Sequence, residues 1–358
     1  MTNCQEARPG GLQKGTNEQA EQQKSLRPPD FSDAGNAEVF SRSFRHNLVY
    51  TDALGWFWWD GKRWERNEHK ALSLAIDLSG RMLREADAAQ QTAQVRRGEL
   101  LMAVAQNPDA VDGSALDTSA QALRSAIAFH RHAQKLRNAR QLNNMVELAK
   151  PSFVLKADRL DTNPLDLNTP AGIVNLATGE LRPHERTAYC SRMTAASPGN
   201  RGAAMWADFL DTITCGDSSV QGFLQLAAGM ALIGDVYQEG ILIAYGGGRN
   251  GKSTFFNALA EVLGDYAGTI DIRTLTTDRS NKGAALATLR GKRLVITGEL
   301  EEHQRLSVAT LKQVGSTDRL NIEEKFKQTD VYSGAGDPPA RTFRTALHGL
   351  LGPPFTDF

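Results

Sequence analysis

Eight consecutive residues, Gly246-Gly247-Gly248-Arg249-Asn250-Gly251-Lys252-Ser253, have the types and spacing of a polyphosphate cradle. They satisfy the pattern G-x-x-x-x-G-K-[ST] at every fixed position. Glycine lets main-chain N–H groups come close to an anion, and a run of such groups makes an anion-binding concavity. In this arrangement Lys252 reaches the outer phosphates and the Ser253 hydroxyl holds Mg²⁺. The expected nucleotide-binding set is Gly246, Gly247, Gly248, Asn250, Gly251, Lys252, Ser253 and Thr254, with ATP and Mg²⁺ as ligands. At ordinary residue frequencies, a chain of this length matches the pattern by chance on the order of one time in a hundred. The flanking residues argue further against chance.

A phosphate loop needs a carboxylate on a neighbouring strand, to hold Mg²⁺ and to polarise the attacking water. Arg293-Leu294-Val295-Ile296-Thr297-Gly298-Glu299-Leu300-Glu301-Glu302 supplies one. Its apolar run reads as a strand, with the acids at the C-terminal end, where ligands bind in open α/β sheets. A helix N-terminus decorated with acids is the weaker reading, because an apolar strand leads straight into the cluster. Glu299 is the candidate for the Mg²⁺ side, and Glu301 or Glu302 is the candidate base that orients water. Lys252, Glu299 and Glu301 thus form the expected catalytic set, with Ser253 and Glu299 on the metal.

Those residues need a strand–loop–helix frame. Ile241-Leu242-Ile243-Ala244-Tyr245 is a short apolar run, as expected of a buried parallel strand. Thr254–Leu263 follows with helical periodicity and stops at Gly264. Helices are expected around 203–215 and 219–233, with a linker marked by Pro198, Gly199 and Gly202. The fold class is therefore an α/β P-loop nucleotide-binding core, preceded by a mainly α-helical domain with small β-hairpins.

In the first half, residues 1–32 read as a disordered tail poor in large apolar side chains. Phe40, Phe44 and Leu48 recur every four residues and predict a short helix. Trp56-Phe57-Trp58-Trp59-Asp60-Gly61-Lys62-Arg63-Trp64 predicts a hairpin turning at Asp-Gly. Its tryptophans could stack on bases, but anchoring a small core is the favoured reading. Residues 68–106 and 116–149 read as helical, the second stopping before Pro151. A second hairpin turns at Thr178-Gly179. The boundary between halves is expected near 200, giving domains 33–200 and 201–332, then a Gly/Pro-rich tail over 333–358.

The chain has 358 residues, 41% of them hydrophobic, with a formal net charge of zero. No apolar run approaches the roughly 20 residues needed to span a membrane, and no signal pattern opens the chain. Cys4, Cys190 and Cys215 lie far apart, without metal-ligand spacing. A cytoplasmic protein is expected. Zero net charge means that any nucleic-acid contact is local. Between Asp117 and Glu147 there is no acid, while Arg124, Arg131, Lys135, Arg137 and Arg140 are all present. This is read either as a solvated face or as a phosphate-contacting one.

Taken together, these blocks resemble the phage/plasmid primase–helicase family of poxvirus and satellite-phage type, whose helicase core is AAA+-like and belongs to superfamily three. The resemblance rests on Asp33–Ala37 with the tryptophan hairpin, Asn168–Leu181, Gly229–Asp235 with the phosphate loop, and Glu299–Asp318. It covers roughly residues 33–332. It implies a ring-forming, hexameric helicase that hydrolyses ATP to move along single-stranded or forked DNA in replication of a mobile element. In such rings an element following the acidic strand faces the channel, which makes Lys312, Lys325 and Lys327 candidate DNA contacts. The family continues beyond this point with a strand ending in a polar sensor and a paired-arginine segment. This chain instead reads Ser333-Gly334-Ala335-Gly336-Asp337-Pro338-Pro339, with no strand pattern before Phe358. The expectation is an incomplete core, truncated or frameshifted, whose two site strands lack the partner that should join them, and whose ATP binding is weak and unwinding impaired or absent. Competing readings are a non-enzymatic DNA- or partner-binding adaptor and a P-loop phosphotransferase.

Overall fold

The computed structural model describes residues 25–107, 111–235, 241–245, 248, 250–276, 285–286, 288–298, 305–315 and 345–348. The chain divides into two compact units, Met1–Tyr50 with Asn67–Val154, and Thr51–Arg66 with Leu155–Phe358.

The first unit is built from helices. Ser32 caps α1 (Asp33–Phe44) by accepting from the Gly35 amide, and Asp112 caps α3 (Gly113–Leu136) by accepting from Ser114. The long α2 (Lys70–Gln106) packs on α3, and α1 packs on α4 (Ala139–Ala149). Phe40, Leu78, Met82, Phe129, Leu136 and Met145 are fully buried and form its centre. Two sequence expectations are corrected here. Leu48 does not extend α1; it opens strand β1 (Leu48–Thr51), because the chain turns at His46-Asn47 and Asn47 donates to Phe44 O. The single helical run expected over 116–149 is two helices. Asn138 takes an extended backbone (ψ 140°) between them, as a residue favoured at caps over helix interiors.

The second unit contains the tryptophan hairpin, β2 (Gly55–Trp59) paired antiparallel with β3 (Trp64–Arg66). Its turn holds Gly61 at φ +102°, and Asp60 Oδ1 accepts from the Lys62 and Arg63 amides. Trp56, Trp59 and Trp64 are buried, and Trp64 Nε1 donates to Arg186 O at 2.9 Å. These rings are core, so base stacking is not their role. A second sheet runs β4 (Asp166–Thr169), β5 (Gly172–Asn175), β6 (Leu181–Arg182), all antiparallel.

The main sheet combines β7 (Leu242–Ala244), β8 (Ala267–Ile270), β9 (Leu294–Thr297) and β10 (Thr345–His348) in the order β7-β10-β9-β8, all parallel. Helix α7 (Lys252–Leu263) covers one face, where Phe255, Phe256 and Leu263 meet Leu294 and Ile296. Val295 faces the other way, towards Leu275, Leu289 and Val314 of α8 (Val308–Gly315). Alternation along β9 therefore serves two cores, which is why the strand is apolar throughout.

This topology overturns the expectation of a vacancy between the two site strands. Residues 345–348 form the strand that joins β7 to β9. The Gly/Pro-dense stretch ahead of it hid a four-residue run, Thr-Ala-Leu-His, too short for periodicity to mark. The expected domain boundary near 200 falls inside the second unit. Residues 155–196 are tied to the main sheet and to the helix on it: Arg293, just before β9, donates to Asp166 O, Ala195 N donates to Val262 O, and Asp265 N to Met193 O.

Candidate functional site

The register of the parallel sheet sets the site. His348 stands opposite Ala244, and Thr297 opposite both Leu347 and Ile270, so the four strands end along one edge. The phosphate-loop segment leaves from β7 and the acidic segment from β9. One strand intervenes, which separates the two exits by roughly 9.5 Å across the sheet. Such a gap accommodates a phosphate chain and its cation.

Gly251 caps α7 at φ +80°, and a Cβ there would fall 2.3 Å from Ile213 Cγ2. Both the backbone and the packing of α5 (Ala203–Thr214) demand glycine at this point. Gly248, in the turn before it, faces open space where a side chain would project. The first bond of α7 runs from Phe255 N to Gly251 O at 3.0 Å, so the helix supplies no acceptor for the amides ahead of Phe255. These amides and the helix dipole give this end a partial positive charge. Below them, Phe255 is buried and stacks on Trp206 with ring centroids 5.8 Å apart, which anchors the helix start. Lys252 Nζ donates to Asn250 Oδ1 at 2.6 Å, while Asn250, Ser253 and Thr254 are exposed.

The structure thus gathers Gly248, Asn250, Gly251, Lys252, Ser253 and Thr254 at one sheet edge. Gly246, Gly247, Glu299, Glu301, Glu302, Lys325 and Lys327 lie outside the described residues. Lys312 is exposed on α8. Two features escaped the sequence reading. Asn250, a variable position of the pattern, holds the lysine. Thr297 closes β9 at 2% exposure, and its Oγ1 has no partner among the described residues. The available signal was a lone hydroxyl ending an apolar run.

Four groups with shifted pKa values, Cys190, Arg192, Tyr266 and Lys292, lie at the opposite edge, around the starts of β8 and β9. Burial pushes the Cys190 thiol up to about 12 and raises the Tyr266 hydroxyl above its ordinary value. Burial also lowers Arg192, and burial with the nearby Arg192 charge lowers Lys292. Their partners are main-chain carbonyls: Arg192 Nη1 donates to Asp265 O at 3.2 Å, and Lys292 Nζ to the same oxygen at 2.9 Å. This cluster fastens one layer to the next, so perturbed titration here marks architecture (not chemistry).

A cavity of about 720 Å³ lies along the flank of α7, against α5 and α6 (Ser218–Met230). Trp206, Leu210, Leu224, Phe255, Leu259 and Val262 line it. It includes none of the phosphate-loop residues, and its apolar walls suit no polyphosphate.

Among the described residues, no helix is long and apolar enough to cross a membrane. No curated protein matches the chain. Residues 244–334, which hold the loop and the acidic segment, match a family of unknown function (DUF5906). Residues 37–215, half of the chain, match the model described as D5 N terminal like. The chain therefore belongs to the D5 N terminal like family, whose domain is found in phage/plasmid primase–helicase proteins.

Proposed function

We propose that this chain is an ATP-hydrolysing DNA helicase of phage or plasmid replication, with a superfamily-three P-loop core over residues 201–332 completed by β10. One observation carries the reading. The octapeptide 246–253 joins a parallel strand to a helix N-terminus, one strand away from the segment that ends in Glu299.

The residues present fit Mg²⁺–ATP. Gly251 brings main chain where a Cβ would collide, Gly248 faces open space, and Lys252 is held beside the helix start. In this reading the α7 amides and Lys252 grip the phosphates, and Ser253 and Glu299 hold the metal. Bound Mg²⁺ supplies charge neutralisation on the transferring phosphoryl group. Glu301 accepts a proton from water, and Asn250 releases Lys252 when phosphate arrives. Single-stranded or forked DNA is the substrate, with Lys312, Lys325 and Lys327 as contacts and a hexameric ring as the assembly.

The test is titration of the full chain with a fluorescent ATP analogue in Mg²⁺, together with steady-state phosphate release on single-stranded DNA. Lys252→Ala is expected to abolish binding. Glu301→Gln is expected to retain binding and lose hydrolysis by at least 10²-fold, the scale of removing a positioned acid–base group. Equal nucleotide affinity in wild type and Lys252→Ala would refute the reading. It would leave the adaptor, in which the helical unit binds DNA or a partner without chemistry.

A further inference from the structure

The phosphate-loop reading makes no use of the acid-free segment of the helical unit. In the fold, Arg124, Arg131, Lys135, Arg137 and Arg140 are all exposed. Among the described residues, no carboxylate pairs with any of the five. Helical geometry sets the first three in a row. At about 100° per residue, Arg131 and Lys135 stand about 20° to either side of Arg124. The buried apolar residues of α3, namely Ala126, Phe129, Ala133 and Leu136, centre about 160° away, almost diametrically opposite. The row is thus pinned outward by the core beneath it. It runs along a rigid rod for about 16 Å. Arg137 and Arg140 continue the positive charge across the turn into α4.

The nearby acids are occupied or distant. Asp87 pairs with His130 at 2.8 Å, and Glu85 accepts from Ser25 and from the Leu26 amide. Asp117 lies two turns before Arg124 on the same face. Arg27 adds a further guanidinium, donating from Nη2 to Ser125 Oγ at 2.7 Å. In a chain whose formal net charge is zero, this is a local concentration of one sign.

We infer that this face of α3 and the α3–α4 turn binds the phosphodiester backbone of nucleic acid, independently of base sequence and of ATP. The neighbours of the row decide the ligand class. Gln121, Ala128, Gln134 and Asn138 are exposed around it, small or polar. Phe31, the exposed ring beneath Arg27, already stacks on His132, so contact is with phosphates. Ile127 beside the row is half-buried and not among the exposed large apolar side chains, which disfavours insertion into a lipid surface. Repeating phosphates match a linear row of cations, and each cation engaged releases counterions.

The experiment measures the affinity of the full chain for fluorescent single-stranded and duplex oligonucleotides between 50 and 200 mM salt, without nucleotide. The variant is Arg124→Gln/Arg131→Gln/Lys135→Gln. Losing three phosphate contacts lowers the slope of log K against log salt by about 2.7 on duplex, or about 2.1 on single strands. On duplex, wild-type affinity then falls about 40-fold more than the variant's over that range. The oligonucleotide on which the slope drops assigns the form bound. Arg124→Lys/Arg131→Lys is expected to keep the wild-type slope, since charge and not fork geometry is at work. The triple variant is expected to keep wild-type melting and wild-type Mg²⁺–ATP binding. An unchanged slope on both oligonucleotides overturns the inference, as does binding to anionic vesicles that oligonucleotides fail to compete. Loss of nucleotide binding in Lys252→Ala, with the slope intact, separates this face from the ATP site.

Discussion

Replacing Arg293 by Met should detach one layer of the second unit from the main sheet. Arg293 is 4% exposed. Its Nη1 donates to Leu232 O, its Nη2 to Asp166 O at 2.7 Å, and its guanidinium lies 4.2 Å from the Tyr266 ring centroid. One side chain thus holds the end of α6, strand β4 and the start of β8. Two hydrogen bonds from a charged donor contribute roughly 1.5–3 kcal/mol each. The ring contact adds roughly 0.5–2 kcal/mol. Relief from burying the guanidinium offsets part of the loss, and Met fills most of the volume. The carbonyls of Leu232 and Asp166 remain buried without that donor. A net loss of about 2–5 kcal/mol is expected, since each carbonyl left buried without its donor costs roughly 1–3 kcal/mol. A typical domain holds only about 5–15 kcal/mol in total. The assay is urea unfolding followed by tryptophan fluorescence. It reads the second unit selectively, because all five tryptophans (56, 58, 59, 64 and 206) belong to it. Arg273→Met is the control, since Arg273 pairs with Asp271 at 69% and 37% side-chain exposure and should change stability by less than about 1 kcal/mol. If Arg293→Met shifts stability no more than this control, the argument that these contacts weld residues 155–196 to the sheet is refuted.

Two further outcomes follow from the same physics. His132 stacks on Phe31 with centroids 4.9 Å apart and sits 2.8 Å from Asn36 Oδ1, and burial, followed by Lys135, lowers its pKa below 6.5. The unfolded chain then binds the proton more tightly, so this contribution is present above pH 6.5 and is lost as pH falls below it. The melting of the helical unit, read by circular dichroism, should therefore drop as pH falls below about 6.5, and His132→Gln should flatten that drop. Cysteine labelling should separate two thiols: Cys190 is buried with its pKa pushed up to about 12, whereas Cys215 is exposed. At pH 8 iodoacetamide should modify Cys215 in the native protein and Cys190 only after unfolding, as peptide mass mapping would reveal.

Local patterns determined much of this protein. The strand and the helix on either side of the glycine-rich octapeptide were legible because its pattern constrains backbone conformation, and Gly251 takes φ +80° at the helix start. The Asp60-Gly61 turn was legible for the same reason, as was the core role of the tryptophans flanking it. Helices longer than a few turns announced themselves through 3.6-residue periodicity, though not the break at Asn138, where propensity differs too little to mark an end. The basic face of α3 was visible as spacing, and only its packing established that the cations point outward.

Tertiary structure alone decided three things. The joining strand at 345–348 has no pattern of its own; it is a strand because β7 and β9 offer unpaired ladder groups on either side. The boundary between units sits at 154/155, because segment 155–196 satisfies its polar groups against the main sheet. The partner of Lys252, Asn250, stands at a position the motif leaves open, and only the fold of the loop brings the two within 2.6 Å. Short-range chemistry is written in consecutive residues, whereas pairing between distant segments depends on which groups would otherwise be buried without partners.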